Sequence, residues 1–259
     1  VKAIANQLGV DLDRVHIAGI KDAKAVTAQH ISIGRTTPEQ ISKVKIKNIT
    51  LYPLRFSDEK IHSSILYGNC FHITIRAIAH SYSKTEERAR NLQNELESLG
   101  GIPNFFGHQR FGTTRPITHL VGRHLVLGES EEAALTFLAK PSEYEHLESR
   151  QARRQLWKTQ NFREALHYFP RQLQYERTML SHLAKYPKDI VGAFTRLPTR
   201  LCKLFVQAYQ SYLFNRFLSQ RIALGVPLSE IQTGDHTIKV DGQERLALPL
   251  VGFKQPLSL

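Results

Sequence analysis

Hydrophobic periodicity changes twice along this chain, and that constrains the fold more than any single motif. Before residue 100 the apolar positions recur mostly every second residue. Phe71, Ile73 and Ile75 alternate with His72, Thr74 and Arg76, the spacing of a strand with one buried face. Val15 to Ala18, Ala28 to Ile33 and Ile49 to Phe56 also read as strands, the last at a sheet edge because of Pro53. From Pro116 to about Ile222 the pattern is helical, broken at Gly128, Pro141, Pro170, Pro187 and Pro198. Beyond Gly225, Thr237 to Val240 and Arg245 to Leu248 flank Asp241-Gly242, a hairpin signal. Strands and helices in separate blocks predict an α+β fold, with helices on one face of a sheet.

Local signals delimit the helices. Val1 to Leu8 reads as a short helix stopped by Gly9, and Thr37-Pro38 opens another that runs to about Val44. Ser83 and Glu86 form a capping-box pattern, after which Ala89, Leu92, Leu96 and Leu99 share a face up to Gly100. Leu201 to Ile222 reads as a long buried helix.

Charge narrows the partners. Lys and Arg number 35 against 23 acidic residues, a net charge of +12 over 259 residues. An excess of this size favours a polyanion such as RNA, DNA or an anionic membrane surface. No apolar run approaches the roughly 18 residues of a membrane span. Cys70 and Cys202 lie in apolar runs and read as buried thiols of a reducing compartment. Neither HExxH nor paired Cys/His spacing occurs, so no metal is expected.

Four stretches carry candidate chemistry. In Ala18-Gly-Ile-Lys-Asp-Ala-Lys-Ala-Val-Thr-Ala-Gln29 a strand runs into a glycine turn that presents Lys21 and Asp22 at a sheet end. Lys21 and Lys24 surround the carboxylate with positive charge that also attracts phosphate. The competing reading is a turn aspartate bonded to its own backbone. In Gly101-Ile-Pro-Asn-Phe-Phe-Gly-His-Gln-Arg-Phe-Gly112, Asn104, Phe105, Phe106, Arg110 and Phe111 sit among glycines that let backbone approach a ligand. Phenyl faces stack on bases for about 1–3 kcal/mol each, but a plain packing loop has the same composition. Gly68 to Arg76 reads mainly as sheet core. Gln207 to Arg216 reads as a packing helix on which Leu204, Ala208, Ser211 and Asn215 share a face, with one polar side chain turned to a cleft. Arg150, Arg154 and Lys158, with Arg153 and Arg163 nearby, form either a phosphate-tracking face or an ordinary solvated one.

Taken in order, these stretches resemble the TruD family of tRNA pseudouridine synthases. Gly19, Lys21, Asp22, Ala25, Thr27 and Gln29 match one signature, and Asn104 through Gly112 match a second. Gly68, Asn69 and Phe71 match a third, and Gln210, Ser211, Phe214 and Asn215 a fourth. The helical stretch between 116 and 200 is similar to the archaeal and eukaryotic branch. The resemblance implies a pseudouridine synthase fold, a mixed or antiparallel sheet with flanking helices, over residues 1–226, with a family-specific inserted domain beginning at 227 and incomplete at 259. It implies isomerisation of a uridine in tRNA, typically position 13, with Asp22 catalytic. Lys21, Gln29, Asn104, Phe106 and Arg110 would contact substrate, and Lys24, Arg150, Arg154 and Lys158 the RNA backbone. It implies no cofactor, a cytoplasmic protein, RNA as partner, no membrane and no obligatory protein partner. The family's Phe-x-Val-x-Glu strand and its C-terminal aromatic strand have no counterpart, so a fragment or an incomplete stretch of a longer protein is expected. The rival readings are a non-catalytic basic RNA-binding protein of an RNA–protein particle and another RNA-modifying enzyme such as a methyltransferase. The latter calls for a glycine-rich cofactor loop where this sequence has Lys-Asp.

Overall fold

A computed structural model describes residues 1–22 and 25–252. The chain divides into two compact units, Val1–Ile78 and a second from Ala79 onward.

In the first unit, helix α1 (Lys2–Leu8) buries Ile4 and Ala5 and ends at Gly9. Strands β1 (Val15–Ile17) and β2 (Ile31–Ile33) pair antiparallel, with Val15 opposite Ile33 and Ile17 opposite Ile31. Helix α2 (Pro38–Ser42) starts with the expected proline and a full capping box between Thr37 and Gln40. The Gln7 side chain ties α1 to the exit of α2. Its amide nitrogen donates to Lys45 O at 2.7 Å, and Lys45 N donates to its oxygen at 2.8 Å.

Two expected strands do not form. Ile49 to Phe56 and Phe71 to Arg76 lie outside regular structure, with Phe56 82% and Ile73 80% exposed. Alternation supplies a strand with a face, but the backbone ladder needs a partner. The one β-bridge here among the described residues is an isolated pair, Ile46 with Ile49. Cys70 lies in this stretch and is exposed, against the buried-thiol expectation.

The second unit is mostly helical. Helix α3 (Tyr82–Ser98) is capped by Ser81, which accepts from Lys84 N at 3.4 Å, and not by Ser83. The helix starts earlier than expected, so Ser83 falls within its first turn and Glu86 instead pairs with Arg90 at 2.9 Å. The apolar face of α3 lines an open cavity of about 680 Å³ with Ala89, Leu92, Leu96 and Ile102.

Next come α4 (Thr118–Val126), α5 (Ser130–Ala139), α6 (Leu147–Thr159) and α7 (Phe162–Tyr168). Helices α8 (Gln174–Leu183), α9 (Ile190–Thr195) and α10 (Thr199–Ala223) complete the bundle. The breaks fall at the expected glycine and prolines. Val121, Leu138, Leu156, Met179, Leu180 and Leu183 are fully buried, each contributing about 1.5–3 kcal/mol. Helix α4 packs directly on α10. A Cβ at Gly122 would overlap Phe205 O, so glycine sets that approach. Helix α10 is less buried than expected. It sinks one stripe, Phe205, Ala208, Ser211 and Leu218, while Val206 and Phe217 stay exposed. Beyond it, Arg221 grips Asp235 through both oxygens at 2.9 and 3.0 Å. The hairpin of β3 (His236–Val240) and β4 (Gln243–Ala247) follows. Its turn residues Asp241 and Gly242 both have positive φ, as a tight primed turn requires.

The bundle is organised around buried charge. Arg153 is 2% exposed, although it was grouped with the surface run on α6. Its guanidinium donates to Glu145 at 2.9 Å, to Glu176 at 2.6 Å and to Leu138 O at 2.8 Å. Arg115 donates to Phe137 O at 2.9 Å and Thr136 O at 3.2 Å, and lies 3.6 Å from Glu176. The two guanidinium groups thus satisfy carbonyls that the end of α5 leaves without intrahelical donors. Burial, reinforced by Arg153, lowers the Arg115 pKa to about 10 against the pull of Glu145 and Glu176. Arg153→Met should cost about 3–5 kcal/mol, because it takes the nearest cation from two buried carboxylates and leaves Arg115 as their only cationic partner among the described residues. Chemical denaturation measures this; a loss below about 1 kcal/mol contradicts the assignment.

Candidate functional site

The Lys-Asp turn belongs to the first unit. Strand β1 ends at Ile17 and the chain turns through Gly19, which packs against Leu66. Lys21 Nζ donates to Asn69 Oδ1 at 2.5 Å. This bond gives Gly68-Asn69 a different part from the sheet-core role expected of it. A neutral amide now fixes the ammonium next in sequence to Asp22, without cancelling its charge. Asp22 is exposed, as are Gln29 and Val26 further along the same loop. Lys24 lies outside the described residues.

The glycine loop belongs to the second unit and is pinned at its C-terminal end and at its middle. At its C-terminal end Gly112 has φ +108°, and a Cβ there would overlap Arg115 O, so no other residue fits. Phe111 O accepts from Thr118 N at 3.1 Å. The Phe111 ring meets His119 edge-on at 5.2 Å, and His119 stacks on Tyr212 at 4.9 Å. These rings join the loop to α4 and α10. Burial, with Lys140 adding to it, lowers the His119 pKa and keeps the ring neutral within the stack.

At the middle of the loop Asn215 holds Phe106. The Phe106 N–H donates to Asn215 Oδ1 at 2.9 Å, and Asn215 Nδ2 donates to Phe106 O at 2.9 Å. Phe214 packs edge-on against the Phe106 ring at 5.4 Å. The Arg110 guanidinium lies over that ring, 5.4 Å from its centroid, within cation–π range. Phe106, Gly107, His108, Gln109, Arg110 and Leu204 line an open depression of about 490 Å³. Asn104 and Phe105 are exposed on the same loop. An aromatic ring, a guanidinium and the Gln109 amide around an open depression suit a flat heterocycle on an anionic backbone.

On α6, Arg154 and Lys158 are exposed and share a face with the half-exposed Trp157. Arg150 is partly buried and donates to Glu143 O at 3.4 Å. Among the described residues no three His, Cys, Asp or Glu side chains are grouped to hold a metal, and no helix is long and apolar enough to cross a membrane. Sequence reasoning did not find the parts played by Asn215, Asn69 and His119. For Asn215 a signal existed: a polar residue in phase with the buried stripe of Ala208 and Ser211.

Comparison with known proteins places these features. A family model described as tRNA pseudouridine synthase D (TruD) matches residues 1–252. A Methanosarcina mazei protein named "Probable tRNA pseudouridine synthase D" is 41% identical over 234 residues, which cover 90% of this chain and 53% of that protein. A Methanopyrus kandleri protein of the same name is 41% identical over 261 residues, covering 100% of this chain and 62% of that protein. A crystal structure of a Methanosarcina mazei protein bearing the TruD name superposes with a TM-score of 0.81 at 41% identity, covering 90% of this chain and 54% of that one. This chain therefore spans about half the length of the Methanosarcina relatives it matches. With the family model matched over nearly its whole length, this chain belongs to the tRNA pseudouridine synthase D (TruD) family.

Proposed function

We propose that this protein is a pseudouridine synthase that isomerises a uridine in tRNA, with Asp22 as its catalytic carboxylate. The observation that carries this reading is the turn in which Lys21, held by Asn69, stands next to an exposed Asp22, in a chain of this family. By the family resemblance the target is position 13, and the protein works in the cytoplasm.

The reaction breaks the N1–C1′ bond, turns the uracil, and joins C5 to C1′. The C5 proton leaves and N1 gains one, so mass is conserved and no redox partner is required. One carboxylate serves as nucleophile at C1′ or as base at C2′. The target base must leave its stack before it can react. By the family resemblance Phe106 would offer a ring to the extruded uracil, and Asn104 and Gln29 would each contact substrate. Lys21 and Arg110 supply positive charge toward the flanking phosphates. Arg150, Arg154 and Lys158, with Lys24, would grip the RNA backbone by charge and shape. Residues 1–226 form the catalytic part in this reading, and residues from 227 begin an inserted domain.

Asp22→Asn should lower conversion of tRNA uridine on the order of a thousand-fold or more, while tRNA affinity stays within about threefold of wild type. Nucleoside analysis and a binding titration read the two effects; conversion near the normal rate removes Asp22 from the chemistry. Replacing Arg154 and Lys158 together by Gln should weaken binding and flatten its salt dependence by about one to two units of log–log slope. An unchanged slope means that α6 does not touch phosphate. Binding without any conversion by the wild-type protein would favour the non-catalytic RNA-binding alternative.

A further inference from the structure

Asn215 makes a contact whose form points beyond packing. It lies on α10, 109 residues along the chain from Phe106, and its amide pairs with both backbone polar groups of that one residue at 2.9 Å. A side-chain amide thus stands in for a neighbouring strand. It satisfies the N–H and C=O of a loop residue that takes part in no backbone–backbone bond among the described residues. The same helix supplies Phe214, whose edge fixes the tilt of the Phe106 ring at an interplanar angle of 80°. Two adjacent residues of α10 therefore set the position and the inclination of a single phenyl group. The helix is itself held against α4 by close packing at Gly122. The rest of the loop middle, Asn104, Phe105 and Gly107, is exposed, so little else restrains Phe106.

We propose that Asn215 is a positioning residue for the isomerisation. It presents the Phe106 ring in the orientation that stacks on the extruded uracil, and it acts through Phe106 without touching the substrate. This rests on the pseudouridine synthase reading above. A stacking surface speeds the reaction only if it is already in place when the base arrives. A loop free to sample other orientations lowers the productive fraction. The effect should therefore appear in turnover more than in overall tRNA affinity, which the backbone contacts dominate.

The decisive variant is Asn215→Asp, which keeps shape and volume and still accepts from the Phe106 N–H. A carboxylate cannot donate to Phe106 O and repels it. A packing role tolerates this change; a positioning role does not. The expected result is a fall in kcat of about 10- to 100-fold, with KM and tRNA affinity within about threefold. On a Phe106→Ala background the same substitution should cost less than about twofold, because the group it positions is gone. Wild-type kcat in Asn215→Asp overturns the inference, as does a loss that adds fully to that of Phe106→Ala. If the wild-type protein converts no uridine, the pseudouridine synthase reading fails instead.

Discussion

The second unit depends on Arg153. Its guanidinium collects two carboxylates and the last carbonyls of α5 in a site 2% exposed to solvent. Bringing one cation there would cost several kcal/mol in desolvation. The cost is offset because every partner is also one that would otherwise be stranded. Glu145 lies in the segment before α6, Glu176 is on α8, and the carbonyls belong to α5. Arg115, in the segment between the glycine loop and α4, completes the set. One cluster thus fixes three helices and the exit of the loop. Arg177 repeats the device on a smaller scale, donating to Leu166 O and Phe169 O at the end of α7. In this unit basic side chains act as helix C-caps.

From that base the glycine loop inherits its order. Gly112 turns the chain directly over Arg115, so the loop leaves a residue the charge cluster holds. The Phe111, His119 and Tyr212 rings carry the path onto α4 and α10, and Asn215 closes it at Phe106. The Lys-Asp turn of the first unit is built by the same economy. A single amide, Asn69, sets the ammonium of Lys21, and the two-stranded pairing of β1 with β2 brings the ends of the turn together.

Much of this was legible in the residues, for identifiable reasons. Helix starts and tight turns marked by proline or glycine were legible, because those signals are local. Thr37-Pro38 and Asp241-Gly242 are such cases. Strands were less legible, because alternation in Phe71, Ile73 and Ile75 says which face they could bury and nothing about what pairs with them. Arg153 was grouped with Arg150, Arg154 and Lys158, since helical spacing alone does not tell a charge turned inward toward two glutamates from one facing water. Asp22 and Phe106 stand out as candidates through motif residues at fixed spacing. Asn215 and Asn69 were quoted within those motifs, but their partners lie 109 and 48 residues away, a separation no local pattern encodes.

The central claim is that this protein exchanges the N1–C1′ bond of a tRNA uridine for a C5–C1′ bond. Joining C5 to C1′ expels the C5 hydrogen, so tRNA labelled with tritium at uridine C5 tests it most directly. The account predicts one equivalent of tritium released to water for each target uridine, with the mass of an unlabelled tRNA unchanged. Saturated tRNA binding with no tritium release would contradict it.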